Sequence, residues 1–383
     1  MTKVLAGARV LTPDDEIAGG SVIVEDGRIV EVAAGLSPPA GAEVVDLRGL
    51  TLAPGFIDIH VHGGGGFSLA TGDAGEVRSY ARWVVAHGVT SFVASIVGET
   101  PEEGEAALRA VAEVSGPAGG AELLGAHLEG PFVSPERRGA LPEGWLRPPD
   151  AGLLGRYLEA AGGRLRLLTL APELPGAAAL LEQAVRAGCV VAVGHSDATY
   201  QEARDAFARG ARHLTHAFNA MRPFHHREPG PLGAALDTEG VTLELIADGV
   251  HVHSAAARMV VRAKGIDGVV LVTDGVPPAG LSEGSFRIGG RGARLAEGRI
   301  ALPDGTIAGS AATMERVVRH VVAEGIATAA QAVRMASTVP AGVLGLEGRK
   351  GRIARGYDAD LVALDSELNV AKTWVAGLVV HGG

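Results

Sequence analysis

The chain has 383 residues, 47% of them hydrophobic and 20% charged, and carries a formal net charge of −10 at pH 7. That length suits one large domain with a smaller one beside it, and the composition is that of a folded globular protein rather than a disordered chain. The negative charge, with no basic run against it, argues against a nucleic-acid partner. No apolar run reaches the roughly 18 residues of a membrane span, so no membrane partner is expected either.

Cys189 is the only cysteine, which excludes an intrachain disulfide and a cysteine-rich zinc site. Any metal must therefore be bound by His, Asp or Glu side chains. The N-terminal residues run directly into a strand-like pattern, without the apolar core or cleavage site of a signal peptide. A cytoplasmic location is the resulting expectation.

Both ends of the chain have the pattern of short strands. An N-terminal set is predicted at residues 4–12, 21–32 and 44–47, with a hairpin turn at Asp26-Gly27. A C-terminal set is predicted at residues 360–364 and 374–380. We expect the two sets to pair in one small β-sandwich domain, to which residues 1–52 and 350–383 contribute.

Residues 53–349 alternate between apolar strands and amphipathic helices. Eight strands are predicted, at residues 56–62, 89–95, 123–129, 166–170, 190–195, 213–216, 241–248 and 269–274. Helical periodicity lies between most of them, for example at residues 76–87, 101–114, 151–161, 176–187 and 199–209. This alternation predicts the α/β class and a (β/α)8 TIM-type barrel as the main domain.

Two intervals depart from the alternation. Residues 217–240 read as mostly loop, where the pattern calls for a helix between the sixth and seventh strands. After the eighth strand, residues 286–307 are Gly-rich and predict a β excursion. Helices are predicted beyond it at residues 312–323 and 327–344.

Polar residues with metal-binding side chains close most of the predicted barrel strands. His60 and His62 end the first strand before four glycines, and residues two apart on a strand point to the same side. Barrel enzymes carry their chemistry at the carboxyl ends of the strands, so these side chains would converge on one face. Such a set can bind a divalent metal and activate water. Its members are His60, His62, Glu129, His195, His216, Asp248, His251 and Asp274.

Each of these residues has a plainer explanation when taken alone. The histidines could be surface or core residues, and Glu129 and Asp274 each precede a glycine and could belong to turns. Three other histidines, His127, His213 and His253, are expected to be structural or to orient the ligands. The number of polar strand ends on one face favours a functional site over these alternatives.

Eight short motifs follow one another along the chain. They are Gly-Phe-Ile-Asp-Ile-His-Val-His-Gly-Gly, His-Leu-Glu-Gly-Pro-Phe, Gly-His-Ser-Asp-Ala-Thr, Leu-Thr-His-Ala-Phe-Asn-Ala-Met, Arg-Glu-Pro-Gly, Ala-Asp-Gly-Val-His-Val, Val-Thr-Asp-Gly and Ala-Gly-Ser-Ala-Ala-Thr-Met. In this order and spacing they resemble the N-acetylglucosamine-6-phosphate deacetylases of the amidohydrolase superfamily. The resemblance covers most of the chain and implies a barrel with a small β domain formed by both termini.

The resemblance implies that Glu129, His195 and His216 bind the main catalytic metal, a divalent ion such as Zn²⁺. His60 and His62 correspond to a second metal position that some members keep and others lose, so one or two ions are expected. Many amidohydrolases bridge two metals with a carboxylated lysine. None of the four lysines here is predicted at a strand end, so Glu129 is the expected substitute.

The resemblance also implies the reaction. Asp274 would act as general base and acid, taking a proton from the attacking water and returning it to the departing amine. N-acetylglucosamine 6-phosphate would yield glucosamine 6-phosphate and acetate. Alternatives are a related amidohydrolase acting on the galactosamine epimer or on an N-acyl amino acid, and a catalytically silent sugar-phosphate binder.

Substrate contacts follow from the same resemblance. Arg227 corresponds to a phosphate contact that reaches into the neighbouring subunit's site, which implies a homodimer, and a guanidinium suits phosphate because it donates two parallel hydrogen bonds. The other expected contacts are Ala140, Asn219, Ala220, Asp248, His251, Ile307, Ala308 and Gly309.

One position departs from the family pattern. After Arg137-Arg138-Gly139-Ala140 the chain has Leu141, where the family usually has a substrate-contacting histidine. Leucine cannot donate a hydrogen bond or carry charge. We expect reduced catalysis or a shifted substrate, unless His225, His226 or His253 takes over the contact.

Overall fold

The computed structural model describes residues 2–13, 15–114 and 119–382. Within these ranges the chain forms a parallel barrel, a sheet built from both ends of the chain, and a small antiparallel insert on the barrel rim. No helix in the described ranges is long and apolar enough to cross a membrane.

The eight predicted barrel strands are all present and lie side by side, in parallel and in chain order. They are Phe56–Val61, Val89–Ile96, Glu122–Glu129, Leu165–Leu170, Val190–Val193, His213–Leu214, Thr242–Leu245 and Val269–Leu271. The barrel closes beyond its last strand, where the Asp274 amide donates to the His60 carbonyl over 2.9 Å and the His62 amide donates to the Gly275 carbonyl over 2.7 Å. The polar strand ends therefore meet around one rim.

The helices between the strands begin at the polar caps that the sequence provides. Thr100, for example, accepts from the Glu103 amide, and Pro101 follows it in the first turn, where its missing N–H costs nothing. The α-helices are Ala74–Val84, Pro101–Glu113, Ala151–Ala160, Ala177–Arg186, Tyr200–Ala208, Gly230–Asp237, Ser254–Lys264, Met314–Ala323, Ala329–Ala336 and Thr338–Val343. Short 3₁₀ turns are Val85–His87, Pro135–Arg137 and Ile266–Gly268.

Residues 217–240 are mostly loop, as predicted, but near their C-terminal end they contain a helix that the sequence did not predict. The structure has the helix Gly230–Asp237 there, and six of its eight residues are buried. Two glycines and a proline give this segment a low intrinsic helix propensity, so the sequence pattern does not predict a helix. Pro231 is nevertheless in the first turn, where proline is favourable. Burial against the barrel stabilises this helix despite its low intrinsic helix propensity.

Strands from both ends of the chain form one eight-stranded sheet, which we name the terminal sheet. Leu361 pairs with Pro54 and Ala363 with Leu52, so the C-terminal strands continue the N-terminal ones. The expected boundary after residue 52 falls inside the strand Thr51–Pro54. The strands are Lys3–Leu11, Glu16–Glu25, Arg28–Ala34, Glu43–Asp46, Thr51–Pro54, Leu361–Leu364, Val370–Val375 and Leu378–His381. This confirms the small β domain made from both ends, which encloses its own apolar core around Trp374.

The predicted β excursion is a four-stranded antiparallel sheet, which we name the hairpin insert. Its strands are Gly284–Ile288, Arg291–Ala296, Arg299–Ala301 and Ile307–Ser310. One face of the insert packs on its own small apolar cluster. Its last strand returns to the rim, where the Ser310 amide donates to the Asp274 carbonyl over 2.9 Å. A tighter two-stranded turn, Gly63–Gly64 with Phe67–Ser68, lies in the Gly-rich segment after the first barrel strand.

Lys350 is a buried cation between the barrel and the terminal sheet, with 2% of its side chain exposed. Its ammonium lies 2.7 Å from Glu122 of a barrel strand and 3.4 Å from Asp358, and it also contacts Asp360. These three carboxylates are close enough together to bind a metal ion. The lysine already supplies the positive charge there, so we assign this cluster to structure.

Candidate active site

Glu129 ends its barrel strand at the centre of the polar rim, and its two carboxylate oxygens face different histidines. Oε1 lies 3.0 Å from His195 Nε2, 3.1 Å from His216 Nε2 and 3.4 Å from His60 Nε2. Oε2 lies 3.1 Å from His62 Nε2. Burial favours the neutral acid, but the surrounding histidines, His60 first, hold the pKa of Glu129 well below its usual range.

The rim contains two groups of three potential ligands, and Glu129 belongs to the first and contacts two histidines of the second. In one group the ligand atoms of Glu129, His195 and His216 all lie within 4.8 Å of one another, and in the other those of His60, His62 and Asp274 do. Asp274 Oδ1 is 3.3 Å from His62 Nε2 and 3.5 Å from His60 Nε2. The structure thus brings together the six residues that the sequence placed at strand ends for metal binding and proton transfer.

The donor atoms are arranged to bind a divalent cation rather than to form hydrogen bonds with one another. His195 Nε2 and His216 Nε2 lie 3.0 Å apart and both face the Glu129 carboxylate. His60 Nε2 is buried and has no hydrogen-bond partner among the described residues. Imidazole nitrogens and carboxylate oxygens are the ligands that zinc accepts when no thiolate is available. The arrangement therefore fits a metal centre.

Contacts at Nδ1 orient two of the imidazoles so that Nε2 faces the centre. His62 Nδ1 is 3.1 Å from the Ser95 carbonyl, and His195 Nδ1 is 3.0 Å from the Arg137 carbonyl. A carbonyl can only accept, so both histidines must carry their proton on Nδ1. Such contacts fix the tautomer and ring orientation of metal-binding histidines.

Sequence reasoning missed Glu244, whose Oε2 lies 2.7 Å from His60 Nδ1. The residue is fully buried in the strand Thr242–Leu245. The signal in the sequence is one acidic residue inside the apolar run Leu243-Glu244-Leu245-Ile246. A charge enclosed by apolar neighbours needs a partner, and the partner here comes from the first barrel strand.

The three histidines expected to be structural lie around the site in different ways. His127 is buried between Ser95 Oγ at 2.9 Å and Thr169 Oγ1 at 2.8 Å, and burial lowers its pKa to about 3, so it is neutral. His213 Nε2 lies 3.2 Å from Glu244. His253 is exposed and caps the helix Ser254–Lys264 by accepting from the Ala255 amide.

Three residues at the centre have left-handed backbone conformations, with φ of 47° at His195, 25° at His216 and 49° at Asp274. This region is costly for residues other than glycine, by about 1–3 kcal/mol each. The surrounding barrel must therefore hold them in place. Such strain is typical of positions where the direction of a side chain matters more than local stability.

The rim opens into a pocket of about 530 Å³, within the usual range for small-molecule sites. His62, Glu129, His195, His216 and Asp274 line its floor, and Leu141 lies in its wall. The hairpin insert contributes Arg287 and Arg291. Of the expected substrate contacts, the pocket is lined by Ala140, Asn219, Ala220, His251, Ile307, Ala308 and Gly309.

Two expected substrate contacts lie elsewhere. The side chain of Asp248 is 3% exposed. It contacts His251 Nδ1 at 2.8 Å and accepts from the Ser310 hydroxyl at 2.8 Å, so it orients His251. Arg227 is exposed, contacts His226 and does not line this chain's pocket. The three histidines considered as replacements for the one lost at Leu141, namely His225, His226 and His253, are also outside the pocket lining.

A model of the amidohydrolase family matches residues 51–380 of the chain. N-acetylglucosamine-6-phosphate deacetylase of Bacillus subtilis (strain 168) is 37% identical over 376 residues, which are 96% of this chain and 94% of that protein. The chain belongs to the amidohydrolase family. Amidohydrolases are metal-dependent, which agrees with the donor groups on the rim.

Two further proteins match this chain over nearly its whole length. N-acetylgalactosamine-6-phosphate deacetylase of Escherichia coli O157:H7 is 34% identical over 98% of this chain and 99% of that protein. A mutant N-acetyl-D-glucosamine-6-phosphate deacetylase from Mycobacterium smegmatis, solved with N-acetyl-D-glucosamine-6-phosphate, has a TM-score of 0.93 and 39% identity, covering 99% of both chains. The protein is thus a deacetylase-like hydrolase that acts on an amide, and the predicted barrel with a small β domain is confirmed.

Proposed function

We propose that this amidohydrolase removes the acetyl group from N-acetyl-D-glucosamine 6-phosphate, giving D-glucosamine 6-phosphate and acetate. The observation that carries the proposal is the position of Asp274. Its carboxylate lies on the pocket floor within 3.5 Å of His60 and His62, beside the Glu129 group. A group that can move a proton is thus next to a set of metal donors at the end of a pocket.

We assign the metal donors to two positions that share Glu129. Glu129, His195 and His216 would hold the main ion, and His60 and His62 a second one, with Zn²⁺ the expected metal. When bound, such an ion lowers the pKa of water and stabilises negative charge on the amide oxygen. The orphaned Nε2 of His60 supports the second position.

Asp274 would act as general base and then as general acid. Although burial favours its neutral form, His60 and His62 lower the pKa of Asp274, so the carboxylate is ready to accept a proton from the attacking water. The same carboxyl would return that proton to the nitrogen as the C–N bond breaks. Its backbone is held by the first barrel strand and by the hairpin insert, which fixes the position of the carboxylate.

The rest of the pocket would position the sugar phosphate. Asp248 orients His251 toward the substrate, and Arg287 and Arg291 give the insert side of the pocket a positive charge that suits a phosphate. Arg227 would serve the pocket of a second subunit, because it is exposed and outside its own. We therefore expect a homodimer, in the cytoplasm where its sugar-phosphate substrate would be found.

The test is acetate release from N-acetylglucosamine 6-phosphate by the purified protein, with and without added zinc. We expect metal-dependent release that Asp274→Asn lowers by about 10²-fold or more, the range of a general acid–base contribution. Release that is equal in Asp274→Asn would contradict the role of Asp274. No release from a zinc-loaded enzyme would contradict the substrate, and N-acetylgalactosamine 6-phosphate, the substrate named for the Escherichia coli relative, would be assayed next.

A further inference from the structure

Glu244 is a carboxylate with no exposed surface in the middle of the barrel strand Thr242–Leu245. Burying an ion costs several kcal/mol unless good partners compensate, and an apolar residue could fill a barrel interior without that cost. The proton-transfer chemistry proposed above does not use this residue. Its presence therefore needs a separate explanation.

Two partners of Glu244 belong to the two proposed metal positions, one to each. Its Oε2 lies 2.7 Å from His60 Nδ1 and accepts from the His216 backbone amide over 3.0 Å. Its Oε1 lies 3.2 Å from His213 Nε2, and His213 is in turn 2.6 Å from the Thr242 hydroxyl. One carboxylate thus links a side-chain ligand of one position to the backbone of a ligand of the other.

The contact with His60 decides which ring nitrogen is free. An ionised carboxylate can only accept, so His60 Nδ1 carries the proton and donates it. The lone pair of Nε2 is then directed at the centre, 3.4 Å from Glu129 Oε1 and 3.5 Å from Asp274 Oδ1. This nitrogen has no hydrogen-bond partner among the described residues. That is expected of a nitrogen atom that is free to bind a metal ion.

We propose that Glu244 is the positioning residue of the second metal position. It fixes His60 as an Nε2 ligand and, through the His216 backbone, sets the second position relative to the first. This inference rests on the proposed metal-binding role of His60. It concerns how many ions bind and how tightly, and not which substrate is used.

Zinc stoichiometry and affinity test the proposal. The wild-type protein should bind two Zn²⁺ ions per chain, measured by elemental analysis and zinc titration. Glu244→Leu should weaken the second ion about tenfold to hundredfold, the usual effect of removing a residue that orients a ligand, and should leave the first ion bound. Glu244→Gln should retain most of the second-ion affinity, because its amide oxygen still accepts from His60 and from the His216 amide.

A matched control is Glu315→Leu. Glu315 also contacts a histidine, His87 Nδ1 at 3.1 Å, but neither residue lines the active-site pocket. This variant should bind both ions as the wild type does. The control therefore distinguishes the loss of the Glu244–His60 contact from the loss of any histidine–carboxylate contact.

Two results would overturn the proposal: Glu244→Leu binding both ions with wild-type affinity, or the wild type binding a single ion. The second result could occur while acetate is still released, so it would not refute the proposed deacetylation. If Glu244→Leu does not fold, ¹⁵N NMR of the zinc-loaded wild type decides, with His60→Gln for assignment. A proton on His60 Nδ1 and zinc on Nε2 are expected, and the reverse would refute the proposal.

Discussion

Leu141 lies in the wall of a pocket whose floor is lined by polar residues. Its side chain is buried, with the residue 6% exposed, and it lies beside Ala140 on the segment that follows the Glu129 strand. His225, His226 and His253, the histidines considered as replacements, do not line the pocket. The side chain at this position of the wall therefore cannot donate a hydrogen bond to a substrate.

Replacing Leu141 with histidine should raise kcat/KM for N-acetylglucosamine 6-phosphate by about tenfold or more, since a donor aimed at developing charge is worth a factor of about 10²–10³ when well placed. Steady-state kinetics of acetate release would measure the gain. Leu141→Met, of similar volume and without a donor, is the control. Equal activity of the histidine variant and the wild type would show that this wall does not contribute a polar contact.

Arg291 is a half-buried cation of the hairpin insert that lines the pocket. Its Nη2 donates to the Ala140 carbonyl, while its Nε is buried and has no hydrogen-bond partner within the described residues. A donor left without a partner in a pocket is available to a ligand. It supports the placement of the phosphate on the insert side.

Arg291→Gln should raise KM for the phosphorylated substrate by about tenfold or more with little change in kcat, because a hydrogen bond to a charged group is worth about 1.5–3 kcal/mol. Activity on unphosphorylated N-acetylglucosamine should not fall in parallel. Arg294→Gln is the control, because Arg294 is exposed on the same strand and outside the pocket lining. Parallel losses on both substrates would mean that Arg291 only supports the wall.

Single residues also show where prediction from the sequence succeeds and fails. His60, Glu129 and Asp274 could be predicted because the carboxyl ends of barrel strands lie on one rim. A polar residue that follows an apolar strand is therefore expected on that rim. Glu244 could not be assigned, since its partners come from other strands and the sequence does not show which side chains meet inside a barrel.

At the scale of elements, the hairpin insert connects the pocket wall to Asp274, the proposed general base. Its last strand, Ile307–Ser310, pairs with the rim on both sides of Asp274: the Ser310 amide donates to the Asp274 carbonyl, and the Val276 amide donates to the Ser310 carbonyl at 3.4 Å. Gly309 in this strand has φ of +71°, and a Cβ there would lie 2.4 Å from Val276 Cγ1 and 2.9 Å from the Asp274 carbonyl. The fit between insert and rim therefore needs glycine.

Gly309→Ala should lower kcat by about tenfold, because the added methyl group must displace the backbone that carries Asp274 and small misplacements of reacting groups are costly. Gly298→Ala is a matched control. Gly298 is in the same insert with φ of +73°, but a Cβ there meets no atom within 4 Å. Both variants bear the left-handed strain of alanine, and only Gly309→Ala adds the clash. Equal kinetics of the two would refute the coupling.

The helix Gly230–Asp237 shows the limit of local patterns at this scale. Most long helices with polar caps and a clear apolar face are predicted close to their observed bounds. The helix predicted at residues 327–344 is instead two helices, Ala329–Ala336 and Thr338–Val343. The helix Gly230–Asp237 is short and rich in Gly, Pro and Ala, and tertiary burial stabilises it, which no local window of sequence records.

At the scale of the whole molecule, Lys350 joins the two domains. Its ammonium pairs with Glu122 of the barrel and with Asp358 and Asp360 of the segment that enters the terminal sheet. Removing one partner from a buried group of charges leaves the others uncompensated, and typically costs about 3–5 kcal/mol. Removing this one cation should therefore cost more stability than removing one member of an exposed ion pair.

Lys350→Met should lower the free energy of unfolding by about 3–5 kcal/mol, measured by urea denaturation at neutral pH. Lys372→Met, at a lysine that makes no ion pair in the described part of the chain, should change it little. Unchanged stability of Lys350→Met would mean that the three carboxylates take up protons or water at no cost.

The pH dependence of this difference has a defined sign. Burial alone would lower the pKa of Lys350, but Asp360 and Glu122 raise it above its ordinary value of 10.5. The stabilisation is fully present below the pKa of the unfolded lysine and is lost as pH rises through the higher folded value. On the alkaline side, the wild type and Lys350→Met should thus converge in stability only at strongly alkaline pH.

The terminal sheet has a consequence for the order in which the protein is made. Strand Thr51–Pro54 pairs on one side with the first strand and on the other with Leu361–Leu364. These neighbours are separated by roughly 300 residues, which at about 5–20 residues per second take on the order of 15–60 s to synthesise. For that interval the nascent N-terminal strands have an unpaired edge, which can pair with another chain. Release of the chain before residue 361 would leave that edge open, so incomplete chains should aggregate more than the finished enzyme.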